Sequence, residues 1–313
     1  MEFEIRKNYR NEEALRKSFN ELAGKVFGLD FEAWYQNGFW GEDYVPYSMV
    51  KNGKVIANVS VNPLTFQTVN GEKRLVQLGT VMTDPEYRGL GLSRRLIEEI
   101  HRDYAETADG FYLFANESVL DFYPKFGYRK AVEYQAVKVF SAETDAAGTV
   151  SAGKAAAEAC ADETAAAQTA SAKKVPMETK EDWDAFVRML STCTVNSSLE
   201  MKGNSGLIMF YLSSFLKDNV YYIEENDCYA VAEIDGDTLE LSAVFADHEV
   251  DPETVAAAFG SEIRQVRLGF SPIRKAGWEL QQLMDDDTTL FVQGEAFADD
   301  RLPDGMFPVL THA

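Results

Sequence analysis

Two Asn-Gly pairs, Asn52-Gly53 and Asn70-Gly71, interrupt strand-like runs and constrain the fold more than any other feature of the chain. Residues 47–51 and 54–61 flank the first pair, and residues 64–68 and 74–82 flank the second. Asn and Gly accept the left-handed backbone that a tight hairpin needs, so this stretch reads as an antiparallel meander. Leu92, Leu96, Ile97 and Ile100 then fall on one face of a helix over residues 92–104, and residues 111–114 are an all-apolar run, a buried strand. A strand reached through a helix runs parallel to the one before it, which makes the sheet mixed. An opening strand at 3–6, a helix carrying Leu15, Phe19, Leu22 and Val26, a short helix at 118–126 and a closing strand at 134–140 complete this half. The class is α+β, a central mixed sheet with flanking helices.

Residues 1–140 give the first domain. Residues 141–175 read as a linker: fourteen of the 34 residues at 141–174 are alanine, most others are Ser, Thr, Gly or charged, and the one other aliphatic side chain is Val150. Such a stretch cannot bury a face. Residues 176–313 repeat the element order of the first half: helices at 183–190 and 206–216, a meander at 220–224, 228–234 and 239–245, a helix at 254–259, and strands at 264–270 and 288–292.

Charge separates the halves. Residues 1–140 hold 18 basic and 20 acidic side chains, a net of −2, whereas the rest of the 313-residue chain carries −19. Such a field repels phosphate backbones and anionic lipid, so neither nucleic acid nor membrane is an expected partner. No run of 18 apolar residues and no apolar leader at the amino terminus is present, and the three cysteines are odd in number and scattered. The expectation is a reduced, cytoplasmic protein without a metal site.

The chemistry sits at Val81-Met82-Thr83-Asp84-Pro85-Glu86-Tyr87-Arg88-Gly89-Leu90-Gly91-Leu92-Ser93-Arg94. This is a strand, a Pro-marked turn and a Gly-rich loop that enters a helix. Gly89 and Gly91 let backbone N–H groups approach an anion, and the helix N-terminus adds partial positive charge. The pattern is a pyrophosphate cradle. It is not a P-loop, because no G-x-x-x-x-G-K-[ST] occurs, nor a dinucleotide fingerprint, because the third Gly and the βαβ context are missing.

Arg88-Gly89-Leu90-Gly91-Leu92-Ser93 resembles the [Q/R]-x-x-G-x-[G/A] signature of the GNAT superfamily of acyl-CoA-dependent N-acyltransferases, with Ser93 in place of the final Gly or Ala. Phe114-Ala115-Asn116-Glu117 and Phe122-Tyr123-Pro124-Lys125-Phe126-Gly127-Tyr128 resemble that family's second motif, in the right order. The resemblance covers residues 1–140 and implies acetyl-CoA as co-substrate. It implies that backbone groups of Val81, Met82 and Thr83 pair with the pantetheine arm. Arg88, Gly89, Leu90, Gly91, Leu92, Ser93 and Arg94 would hold the pyrophosphate, and Asn116 would meet the cofactor arm. Tyr123 would protonate the departing thiolate. The general base stays open, because Gln77, at a fitting place on the fourth strand, cannot serve, and His101, His248 and His312 show no catalytic partner.

Between the first helix and the second strand, Trp34, Phe39, Trp40, Glu42 and Asp43 belong to an aromatic–acidic stretch that suits an ammonium-bearing acceptor, or else plugs the end of the sheet. The second half has no cradle after its meander; Phe245-Ala246-Asp247-His248-Glu249-Val250-Asp251-Pro252 stands there. It reads as a degenerate GNAT-like copy. The tandem layout is similar to the first two domains of "enhanced intracellular survival" type acetyltransferases, without the third, so a role for the Ala313 carboxylate does not carry over. The expected activity is acetyl transfer from acetyl-CoA to a primary amine of a small molecule, resembling a polyamine, aminoglycoside or amino acid. A non-catalytic acyl-CoA sensor and an acidic interaction module stay open, as does homo-oligomerisation.

Overall fold

Asn52 and Gly53 both adopt left-handed backbone, φ 51° and 74°, and close the first hairpin as the sequence requires. The computed structural model describes residues 3–140, 171–193, 196–283, 288–298 and 305–312. The first half contains β1 (Glu4–Lys7), α1 (Glu13–Phe27), α2 (Glu32–Gln36), β2 (Val45–Lys51), β3 (Lys54–Thr68), β4 (Gly71–Thr83), α3 (Leu92–Tyr104), β5 (Gly110–Ala115), β6 (Arg129–Lys130) and β7 (Tyr134–Val139). The second contains β8 (Lys173–Lys174), α4 (Lys180–Thr192), β9 (Leu199–Lys202), α5 (Ser205–Ser214), β10 (Val220–Ile223), β11 (Cys228–Asp235) and β12 (Thr238–Phe245). It ends with α6 (Pro252–Ala257), β13 (Gln265–Leu268), β14 (Glu279–Gln282) and β15 (Thr289–Gln293).

Two mixed sheets result. The first runs β1-β2-β3-β4-β5-β15-β6, with β9 also on β3; the second runs β14-β7-β13-β12-β11-β10-β8. Each contains one parallel pair, β4 with β5 and β12 with β13, at the point where the chain returns through a helix. Leu92, Leu96, Ile97 and Ile100 of α3 are buried against Val76, Leu78 and Leu113 of the first sheet. Burying each such side chain stabilises the fold by about 1.5–3 kcal/mol.

The halves exchange strands. The run at 134–140, expected to close the first sheet, is β7 and lies between β13 and β14 of the second. Its place beside β5 is taken by β15, with Phe291 opposite Leu113 and Val292 opposite Tyr112. β15 carries Leu290, Phe291 and Val292, all buried, and so needs an interior position with both faces covered. Alternation along a strand shows which face is buried, but not which sheet receives it.

Two further expectations change. Residues 118–126 form two 3-10 turns, Glu117–Val119 and Tyr123–Phe126, instead of one helix. Pro124 lacks the N–H that a longer helix would use, and the Asn116 side chain ends the preceding strand by accepting the Ser118 N–H at 3.1 Å. The linker gives way to structure before residue 175, since the N–H groups of Ser171 and Ala172 donate to the Ala258 carbonyl and β8 pairs with β10. Residues 141–170, Cys160 among them, lie outside the described residues, as does Ala313.

Candidate active site

β4 and β5 pair only where Leu75, Val76 and Gln77 face Gly110, Phe111 and Tyr112. Beyond that point the strands part, and a cavity of about 830 Å³ opens between them. Leu78, Gly79, Thr80, Val81, Met82 and Thr83 form one wall; Phe114, Ala115 and Asn116 form the other. Within β4 the register slips: Asn58 faces Met82 but Ser60 faces Gly79, so β4 holds one extra residue. Thr80 takes up the slack at φ 46°. A left-handed, β-branched residue costs about 1–2 kcal/mol, so its surroundings must hold it there. The bulge also reverses the alternation. Val81 packs with Val76 and Leu78 on the α3 side, and Met82 points to the α1 side.

The glycine loop lies between β4 and α3. After β4, Asp84 accepts the Glu86 N–H at 3.0 Å and pairs with Lys25 at 2.9 Å, fixing the turn at Pro85. Gly89 and Gly91 sit at φ 77° and 70°, and a Cβ on either would meet nothing within 4 Å. The loop therefore faces open space that a ligand can fill. The first helical bond of α3 runs from the Arg95 N–H to the Gly91 carbonyl at 3.2 Å, leaving the Leu92, Ser93 and Arg94 amides without acceptors inside the helix. Leu92 buries its side chain, so only its main chain is open to a ligand; Leu90 is 54% exposed. Ser93, the departure from the family pattern, shares a 2.9 Å hydrogen bond with Thr83 Oγ1 and ties the helix start to the end of β4. Arg88 Nε reaches the Thr83 carbonyl at 3.4 Å, and Arg94 stands over the Phe126 ring at 5.0 Å.

The cavity reaches from the start of the glycine loop to Tyr123. Val81, Met82, Thr83, Arg88, Ser93, Asn116 and Tyr123 all line it. Tyr123 is 4% exposed, with Phe122, Tyr128 and Phe291 around its ring. Burial pushes its phenol up to about 12, so it stays protonated at neutral pH.

The acceptor-side residues expected from sequence are not among those lining this cavity. Trp34 and Trp40, each 3% exposed, pack with Phe31, Tyr44 and Phe210 in a buried aromatic cluster. Their indole N–H groups donate to the Gly206 and Tyr44 carbonyls. Phe39 packs at the edge of this core, Asp43 is exposed, and Glu42 is held by Arg10 below the usual carboxylate range. These aromatics are the plug at the sheet end, because a cluster with indole donors already satisfied buries more apolar surface than an open wall. Gln77 is fully buried and accepts from Asn62 Nδ2 at 3.3 Å. His101 is half-buried and shares a 2.9 Å hydrogen bond with Tyr128, and His248 pairs with Asp247. Thr80 escaped the sequence reading, which also gave no part in the cavity to Phe114, one of its lining residues, or to His312, which stacks on Phe114 at 3.7 Å. The bulge and the strand exchange that place them have no local sequence signal.

A splayed parallel pair beside a glycine cradle and a buried phenol defines an N-acyltransferase architecture, present here with a second GNAT-like sheet. Residues 12–131 match the family model of the acetyltransferase (GNAT) domain. The chain thus carries a GNAT acetyltransferase domain in its first half. No curated protein matches the chain in sequence. Among solved structures, a probable N-acyltransferase from Enterococcus faecalis superposes with a TM-score of 0.56 at 15% identity, over 93% of this chain and 72% of that one. Eis1 from Mycobacterium abscessus gives 0.55 at 13% identity, over 92% and 73%. A GCN5-related N-acetyltransferase from Kribbella flavida gives 0.53 at 15%, over 92% and 71%. At these identities the likeness is one of fold, and it extends over both halves.

Proposed function

We propose that this protein moves the acetyl group of acetyl-CoA to a primary amine of a small molecule by direct attack. One observation carries the reading: Arg88 and Ser93 at the cradle and the Tyr123 phenol open onto the same cavity. Acetyl-CoA, when bound, supplies an activated thioester. The chain's own groups do the rest. The amides from Gly89 to Arg94 hold the pyrophosphate, Val81, Met82 and Thr83 offer a strand edge to the pantetheine arm, and Asn116 borders that arm. As the amine's C–N bond forms and the C–S bond breaks, main-chain N–H groups near Met82 would stabilise charge on the thioester oxygen, and the Tyr123 phenol would give its proton to the sulfur and recover it, by way of solvent, from the amine nitrogen.

Residues 176–313 are, in this reading, a non-catalytic partner half. Where the first half has a cradle, the Asp251 carboxylate accepts the Glu253 N–H at 2.9 Å and caps α6 itself. A carboxylate at that position repels a pyrophosphate. The acceptor is taken to be cationic, of polyamine, aminoglycoside or amino-acid kind, because the second half is so acidic. The test is calorimetry with acetyl-CoA, followed by thiol release with one amine of each kind. Binding with release above thioester hydrolysis supports the proposal. Binding without release from any amine makes the protein a sensor, and no binding removes the site.

A further inference from the structure

Thr80, the left-handed residue in the cavity wall, is gripped from two sides. Asn58 Nδ2 donates to the Thr80 carbonyl at 3.0 Å, and the Thr80 hydroxyl shares a 2.7 Å hydrogen bond with the Tyr44 phenol. Asn58 is itself fixed. Its Oδ1 accepts from Ser48 Oγ at 2.8 Å, which leaves the Ser48 oxygen to accept from the Tyr9 phenol at 2.6 Å. The second amide proton of Asn58 goes to Ser60 Oγ at 2.9 Å. Tyr9, Tyr44, Ser48, Asn58 and Ser60 are all buried, between 0% and 4% exposed. With Oδ1 taken by Ser48, the amide has one orientation, NH₂ toward β4.

We infer that Asn58 is a positioning residue that sets the acyl end of the cavity. It is not among the residues that line the cavity. It holds the Thr80 carbonyl, and so the direction of the peptides that follow, at the point where β4 leaves β5. Without that bond, a β-branched residue relaxes out of the left-handed region, and the bulge shifts the Val81 and Met82 amides. A row of buried hydroxyls and one amide is costly unless each member is satisfied, and this row ends on the one strained residue of the cavity wall. The cradle, held by Asp84, Gly89, Gly91 and α3, lies outside the network. Loss of Asn58 should therefore affect recognition of the acetyl carbonyl while leaving pyrophosphate binding in place.

This inference rests on the acetyl-CoA reading above, and its test reads the two ligands separately. Dissociation constants for acetyl-CoA and for CoA are measured on the full chain and on N58A, with hydrogen exchange of residues 78–83. Acetyl-CoA should bind the wild type more tightly than CoA. In N58A, affinity for acetyl-CoA should fall about fivefold or more, that for CoA, which shares only the pantetheine contacts of Val81 and Met82, should fall less, by about twofold, and the amides of 78–83 should exchange faster. Adding Thr80→Gly to N58A should restore acetyl-CoA affinity, since glycine holds the left-handed turn without support. If N58A does not fold, Ser48→Ala, which frees the amide to rotate, should show the same selective loss in smaller measure. Equal losses for both ligands, or unchanged exchange at 78–83, would overturn the role of Asn58. Wild-type protein that binds CoA and acetyl-CoA equally would overturn it too. Wild-type protein that binds neither would overturn the acetyltransferase reading as well.

Discussion

His312 lies flat on Phe114, with ring centroids 3.7 Å apart and planes 23° from parallel. Phe114 lines the cavity between β4 and β5, so the far end of the described chain supports the wall of the first half's site. Phe307 stacks on Tyr112 at 4.1 Å along the same strand, and β15 pairs with β5 from Phe111 to Ala115. The second half is structurally part of the first half's sheet.

A chain cut after Phe140 should therefore not fold. It would lack β15, whose Phe291 and Val292 are fully buried, and β5 would become an exposed apolar edge. Losing the burial of those two side chains alone costs about 3–6 kcal/mol, a large share of a typical domain's stability. Circular dichroism on the truncated chain should show no cooperative melt, and a sharp transition would mean that the strand exchange is dispensable.

The cradle should tolerate substitution structurally but not functionally. Gly89→Asp with Gly91→Asp meets open space, yet it puts two carboxylates and two strained left-handed residues where the pyrophosphate is to sit. Left-handed backbone costs about 1–2 kcal/mol at each site, which lowers the melting temperature without unfolding the chain. Acetyl-CoA binding should fall by about two orders of magnitude or more in calorimetry. Near-normal affinity in a folded double variant would place the cofactor elsewhere.

Much of this site is legible in the sequence, because the cradle is a local device. Gly89, Gly91, Ser93 and the strand before them are consecutive, and their backbone requirements show in the residues themselves. Asn116 and Tyr123 follow from a second local motif. The reading fails where geometry is non-local. Nothing in Thr80 announces a left-handed bulge, which arises from Asn58 and Tyr44 across neighbouring strands. Trp34 and Trp40 illustrate the converse, since an aromatic-rich stretch has the same composition whether it lines a cleft or fills a core. The strand exchange is invisible for a related reason: β7 and β15 each fit any sheet that offers an apolar face.

Tyr123→Phe keeps the ring in its pocket and deletes only the acid. Cofactor affinity should change little, while kcat falls by about 10²-fold. Because burial raises the phenol to about 12, its proton is retained across neutral and mildly alkaline pH. The wild-type kcat should therefore show no decline from loss of this acid until the pH approaches that value. Stopped-flow thiol detection from pH 6 to 10 checks both points; an unchanged turnover in the variant would assign the proton to water.

Glu133 makes stability depend on pH. It is 5% exposed, accepts the Phe307 N–H at 2.8 Å, and is pushed up to about 8 by burial. A carboxyl whose folded value exceeds its unfolded value binds more protons when folded. Its contribution is full below the ordinary value of 4.5 and is lost as pH rises through about 8. Glu133→Gln keeps the acceptor for Phe307 and removes the titration. The variant should melt higher than wild type at pH 8 and nearly equal to it at pH 5. Parallel melting curves across that range would show that Glu133 is already paired.

The acidic second half should act on the acceptor through its field. A net of −2 in residues 1–140 against −19 in the rest places most of the negative charge on the second half, which shares a sheet with the first through β9 and β15. Such a field raises the encounter rate of a cation more steeply the higher its charge, and salt screens it over about 10 Å at 0.1 M. For a polycationic amine such as spermidine, kcat/KM should fall steeply between about 20 mM and 200 mM salt, over which the screening length shortens roughly threefold. For a zwitterionic amino acid it should stay nearly flat. The comparison is internal to one enzyme preparation, so any general effect of salt on the fold or on acetyl-CoA binding appears equally in both slopes and cancels. A steeper slope for spermidine would assign the acidity a role in substrate capture, and equal slopes would leave the second half as the scaffold that supplies β15.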